Sequence, residues 1–212
     1  GKTEIYIKLL EQYIKEGKQV LFLLPEIALT TQLVQRLTAY FGNEVAVFHS
    51  KYTNNERIEV WNQVLENSPK AKVVIGVRSA LFLPFFNLGC IIVDEEHEQT
   101  FKQHDPAPRY HARDAAIVLA KQHGAKVVLG SATPSLETYY NVQSNKYGLT
   151  ELKVRYGNVV LPEIQLVDLK DKYFRKKMSG HFSDELLEEI TETLSKGEQV
   201  ILFQNRRGFS PY

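Results

Sequence analysis

The sequence predicts an α/β fold in which parallel strands form a doubly wound sheet, and two observations predict it. Short β-branched or wholly apolar runs recur along the chain, and stretches of helical periodicity separate them. The runs are Gln19–Leu24, Val45–Phe48, Lys72–Gly76, Cys90–Val93 and Lys126–Gly130. Runs with so little polar alternation read as strands covered on both faces. Between them, Ile5, Leu9, Leu10, Tyr13 and Ile14 recur at helical spacing, and Ala28–Phe41, Glu56–Glu66 and Ala112–Gln122 follow as helices. A strand reaches a parallel neighbour only through a crossover of this length.

The character changes after Thr150. Residues 1–150 form the predicted first domain, and residues 151–182 read as a connector with a basic cluster from Lys170 to Lys177. Residues 183–212 open a second α/β unit. Ser183 with Asp184 and Glu185 makes an N-cap and acidic first turn for a helix over Ser183–Lys196, and Gln199–Phe203 reads as a buried strand. The chain opens on Gly1-Lys2-Thr3 and stops just past a strand, at Asn205-Arg206-Arg207-Gly208-Phe209, so it is expected to be an excerpt of a longer protein.

Composition narrows the function classes. The 212 residues carry 26 Lys and Arg against 25 Asp and Glu, so any contact with a polyanion must be local rather than spread over the surface. One cysteine, Cys90, excludes a disulfide framework or a cysteine zinc site within these residues, and reads as a small core side chain. No apolar run approaches the roughly 18 residues of a membrane span, and no leader opens the chain; a cytoplasmic setting is expected, with no membrane partner. His49, His123 and His181 lack metal-ligand spacing.

Three segments carry chemistry. Gly1-Lys2-Thr3 has the form of the end of a phosphate-binding loop leading into a helix: an ammonium to reach phosphates, a hydroxyl for magnesium, and helix N–H groups. Leu88–His97 is an apolar strand ending in Asp94, Glu95, Glu96 and His97, where ligands bind in open α/β sheets. Asp94 is placed to hold magnesium, and Glu95 to orient or deprotonate an attacking water. Gly130-Ser131-Ala132-Thr133-Pro134-Ser135 follows another strand; its hydroxyls either cap the next helix or join the carboxylates, with Ser131 and Thr133 as candidate nucleotide contacts.

Lys-Thr, Asp-Glu-Glu-His and Gly-Ser-Ala-Thr-Pro-Ser, in that order, resemble superfamily-two helicases. Leu24–Thr30, Phe48–Ser50, Gly76–Phe82, Arg109–Asp114 and Asn205–Phe209 narrow the resemblance to the bacterial primosomal replication-restart helicases, across essentially the whole chain. The resemblance implies a RecA-like P-loop NTPase lobe followed by the start of a second RecA-like lobe. It implies an ATP-dependent 3′-to-5′ DNA helicase with ATP and magnesium as cofactors, and zinc only downstream of this chain. Its implied partners are forked or single-stranded DNA, bound without regard to sequence, together with replication-restart proteins, single-strand-binding protein and the loader of the replicative helicase.

Carried onto these residues, the resemblance makes Gly1, Lys2 and Thr3 nucleotide contacts, Thr3 and Asp94 magnesium ligands, and Asp94 and Glu95 the catalytic pair. Pro25, Thr30, Arg78, His97, Phe101, Lys102, Arg109, Tyr110, Arg113 and Arg206 are the candidates for DNA binding or coupling. Thr30 and Thr31 either present N–H groups to a phosphate or cap the helix after them, and Tyr110 and His111 either stack on bases or dock the next helix. The basic run Lys170–Lys177 reads as a solvated linker or a DNA contact. Because the resemblance places an arginine finger in a later segment, worth about 10³–10⁵ in rate, the chain alone is expected to hydrolyse ATP negligibly. Two other classes share these features: a duplex DNA translocase of the same superfamily, and a binding module for DNA or proteins whose motor has decayed.

Overall fold

A computed structural model describes residues 1–25, 31–50, 52–154 and 162–203. Strands β1 (Gln19–Leu23), β2 (Val45–Phe48), β3 (Val73–Gly76), β4 (Leu88–Asp94) and β5 (Lys126–Gly130) pair in parallel, side by side in the order β2-β3-β1-β4-β5. The register sets Val20 between Val73 and Cys90, and Cys90 opposite Lys126. All five expected strands form. The inner three are buried almost throughout, whereas edge strand β2 is buried at only alternate residues, and β5 fully only at Gly130. The expectation of burial on both faces therefore fails at the two edges, where one flank lacks a neighbouring strand among the described residues.

Alternation along each strand divides the core into two layers. Val20, Phe22, Leu24, Val73, Ile75, Cys90 and Ile92 face Tyr6, Ile7 and Leu10 of α1 (Lys2–Lys15) and Leu37 and Phe41 of α2 (Thr31–Phe41). Leu21, Leu23, Val74, Ile91 and Val93 face Val60 and Val64 of α3 (Asn54–Leu65) and Ala112, Ala116 and Ala120 of α4 (Ala112–His123). Successive strand side chains point to opposite faces, so helices on both sides are what an apolar strand such as Cys90–Val93 demands. Each fully buried aliphatic or aromatic chain contributes about 1.5–3 kcal/mol.

Local signals fix where the helices begin and end. Thr53 and Glu56 form a reciprocal capping box, which starts α3 two residues before the expected Glu56. Gly124, at φ +64°, ends α4 in the left-handed conformation that a side chain disfavours. Ser135 caps α5 (Leu136–Gln143) by accepting from the Thr138 N–H.

The chain divides into units Gly1–Asn158 and Val159–Tyr212. In the second, Asp168 caps α6 (Leu169–Phe174), β6 (Met178–Ser179) and β7 (Phe182–Ser183) form an antiparallel hairpin, and Ser183 caps α7 (Asp184–Ser195) as expected. The basic run is folded rather than a free linker. Lys172 pairs with Asp184 and Glu185, and Lys177 with Asp184, which sets cations against the acidic first turn of α7. The strand expected over Gln199–Phe203 does not form: residues 198–203 are irregular, with Ile201 94% and Phe203 87% exposed. No strand pairs with it among the described residues, and an unpaired strand leaves its backbone groups to water.

Candidate functional site

The order of strands brings the start of the chain to the acids. Helix α1 begins at Lys2 and packs its buried face on β1 and β4, so its first turn lies beside the carboxyl end of β4. Lys2 Nζ donates to Glu95 Oε1 at 2.7 Å and stands 3.4 Å from Asp94 Oδ1, across more than ninety residues of sequence. Burial opposes charge on this ammonium, but the Glu95 hydrogen bond and the Asp94 and Glu95 charges outweigh it and raise its pKa above the ordinary lysine value.

Tyr6, one turn along α1, donates from its hydroxyl to Asp94 Oδ1 at 3.0 Å. Its ring is buried edge-on against Phe22, and burial first, then Asp94, drives its pKa well above the ordinary tyrosine value. Glu95 itself holds φ +50°, a left-handed conformation that costs a side chain of order 1–3 kcal/mol and recurs at functional sites. The Glu96 N–H to Gly130 carbonyl bond (3.0 Å) and the Glu98 N–H to Glu95 carbonyl bond (2.9 Å) hold that turn in place.

The third acid has a different task. Glu96 is 1% exposed and accepts from the Ser135 N–H at 2.8 Å, the Thr138 hydroxyl at 2.9 Å, and the Ser135 hydroxyl and Arg113 Nη1 at 3.1 Å each. Burial works to raise its pKa, yet the Ser135 backbone bond, the Thr138 and Ser135 hydroxyls and Arg113 together bring it below the ordinary value. His97 Nδ1 meets the Ser131 hydroxyl at 2.7 Å, and Ser131 Oγ also accepts from the Thr133 N–H at 2.9 Å. Glu96 and His97 thereby tie the carboxylate turn to the segment after β5.

Gly1, Lys2, Thr3, Asp94 and Glu95 fall in the first turn of α1 and at the end of β4, which form one edge of the sheet. Among the described residues no group of three or more His, Cys, Asp or Glu converges as a metal site. A carboxylate such as Asp94 suits magnesium, which keeps waters and phosphate oxygens as its other ligands, better than zinc.

The residues expected to meet DNA are placed unevenly. Pro25 is buried, Phe101 is a 1% exposed core residue, and Arg113 is buried against Glu96, so none of the three presents its side chain to solvent. Arg78 Nη1 donates to the carbonyls of Thr100 (3.3 Å) and Lys102 (3.1 Å), and Lys102 Nζ donates to the Arg109 carbonyl at 2.9 Å. Tyr110 is half-buried, bonded through its hydroxyl to the Arg78 carbonyl and packed edge-on against Phe82, so it docks as well as presents a ring. Arg109 remains exposed. Thr30 and Arg206 lie outside the described residues.

Sequence reasoning missed Tyr6, the tasks of Glu96 and Thr138, and Phe82, an exposed ring at 57%, whereas Ser135 both caps α5 and bonds a carboxylate, the two roles weighed for the hydroxyls of its segment. For Tyr6 a signal was available, since four residues after Lys2 is the same helix face. The Glu96 partners come from two separate segments, the starts of α4 and α5, and nothing local to Glu96 marks them.

Residues 1–142 match the family described as DEAD/DEAH box helicase. Over its whole length the chain is similar to replication restart protein PriA of Bacillus subtilis (46% identical, 26% of that protein covered). It is similar in the same way to the protein of that name from Haemophilus influenzae (49%, 28% covered). The chain thus spans little more than a quarter of these relatives. The C-terminal domain of the DEAD-box protein Dbp5 overlays with a TM-score of 0.47 at 14% identity, covering 70% of this chain and 79% of that one.

Proposed function

This chain belongs to the DEAD/DEAH box helicase family, and from that premise we propose that it is the ATP-binding lobe, with the start of a second lobe, of a PriA-type 3′-to-5′ DNA helicase acting in replication restart. Activity is assigned to the intact protein, in a cytoplasmic setting, with ATP as fuel and forked or single-stranded DNA as track. Replication-restart proteins, single-strand-binding protein and the helicase loader are its proposed partners. The 212 residues alone are expected to turn ATP over negligibly.

One observation carries the reading: Lys2, Asp94 and Glu95 meet within 3.4 Å at the carboxyl edge of a parallel sheet. Lys2 binds the β- and γ-phosphates, and Thr3 with Asp94 holds the magnesium. Bound magnesium supplies charge neutralisation at the transferring phosphoryl group. Glu95 orients the attacking water and takes its proton on a carboxylate oxygen. The His97–Ser131 and Glu96–Ser135 bonds are the physical links through which a shift at the carboxylates reaches the segment after β5 and α5, and the Glu96–Arg113 bond the one through which it reaches α4. Contacts to a phosphodiester backbone carry no sequence information, so DNA binding is sequence-independent and weakens with salt.

Strand displacement by the intact protein, on a fork against a blunt duplex, tests this. ATP-dependent displacement from the fork is expected, with turnover falling about 10²–10³-fold in Lys2→Ala through loss of one electrostatic contact to the transferring group. ATP turnover without displacement would point instead to a duplex translocase, and unchanged turnover in Lys2→Ala to a decayed motor.

A further inference from the structure

We propose that Tyr6 is a positioning residue for Asp94 and thereby sets how tightly the site holds its divalent cation, an inference that rests on the ATPase reading above. Its hydroxyl donates to Asp94 Oδ1 at 3.0 Å, and Lys2 Nζ stands 3.4 Å from the same oxygen. With that oxygen held by a hydroxyl and an ammonium, rotation of the carboxylate is restricted. A carboxylate free to turn must lose that freedom on binding a metal, whereas one held by a neighbouring donor has already lost it, so outer partners of this kind tune affinity.

Two features say that the hydroxyl, and not only the ring, is what the fold accommodates. The ring is 4% exposed and packs on Phe22 with centroids 5.6 Å apart at 71°, a contact phenylalanine would make equally well. Yet the hydroxyl is given room by the absence of a side chain at Gly130. A Cβ there would overlap the Tyr6 oxygen, lie 2.8 Å from Tyr6 Cζ and 3.2 Å from Asp94 Oδ1. Gly130 pairs with Asp94 across β4 and β5, so the glycine opens space at the place where the hydroxyl reaches the acid. A small residue at the end of β5 is thus explained by a tyrosine more than a hundred positions earlier.

The test uses the intact protein and reads equilibrium binding rather than turnover. A fluorescent ATP analogue is titrated at fixed concentration with magnesium chloride, for wild type, Tyr6→Phe and Lys2→Ala, with thermal unfolding followed in parallel. Tyr6→Phe is expected to unfold at the wild-type temperature, to bind the analogue unchanged in excess chelator, and to need about tenfold more magnesium for half-saturation. Gly130→Ala, which displaces the hydroxyl from the other side, should shift the magnesium midpoint in the same direction. An unchanged midpoint in Tyr6→Phe, with Lys2→Ala abolishing analogue binding, overturns the role of Tyr6 and leaves the ATPase reading intact. A wild type that binds no analogue, or a Lys2→Ala that binds it normally, overturns both.

Discussion

The carboxylate edge and the loop over residues 97–111 are consecutive in sequence and opposite in how they use their polar side chains. At the edge, Lys2, Tyr6, Asp94 and Glu95 converge on a few ångströms, and strands and helix ends hold their backbones. In the loop, Lys102 and Gln103 bind the carbonyls of Arg109, Pro106 and Pro108, Arg78 reaches in from the turn after β3 to those of Thr100 and Lys102, and only one bridge, Lys102 with His111, resembles a ladder. Where regular structure satisfies the backbone, side chains are free for chemistry; where it does not, side chains are drawn in to satisfy it. Long basic side chains in an irregular loop are therefore poor indicators of a binding surface.

The largest effect that can break this comparison lies at their junction. Arg113→Ala leaves Glu96 buried without its cation and is expected to cost about 3–5 kcal/mol in a denaturant titration, far more than loss of an exposed charge. A cost below 1 kcal/mol would mean that the junction carries no strain-bearing network.

In the loop and on the turn packed against it, the exposed side chains Arg109 and Phe82, whose ring meets Tyr110 edge-on, are expected to matter for single-stranded DNA more than the occupied ones. Phe82→Ala should weaken binding by about 1–3 kcal/mol through a lost stack, measured by fluorescence anisotropy on the intact protein. Arg109→Ala should weaken it less and flatten the dependence on salt.

The smallest effect sharpens the contrast through pH. Glu96 titrates below the ordinary glutamate value when folded, so the unfolded chain binds its proton first. The stability it contributes is present above the unfolded pKa of about 4.3 and is lost as pH falls through the lower folded value. Wild type should therefore lose stability below about pH 4.5, and its advantage over Glu96→Gln should narrow over that interval, read by thermal unfolding.

The strands and the edge residues were legible in the sequence because their signals are local. Cys90–Val93 could only be buried on both faces, and its terminal acids could only lie at the strand's carboxyl end. The convergence of Lys2 with Asp94 and Glu95 followed once a helix had to start at Lys2 and return beside β4. Arg113 and Phe101 lie where nothing in the sequence signals burial, and for a physical reason. Both look exposed in a polar loop sequence, and only packing shows that one neutralises Glu96 and the other fills the core. Gln199–Phe203 was misread the other way, since apolar composition predicts a strand but pairing requires a neighbour.

By itself, then, the sequence determined the parallel α/β layering, the family and the acids at the strand end, because periodicity and short motifs act over a few residues. Tertiary structure alone decided which side chain is the partner of which: Tyr6 for Asp94, Gly130 for Tyr6, Arg113 for Glu96. Those pairings join positions up to about 120 residues apart, and such contacts exist only when the strand order has brought their elements to one edge.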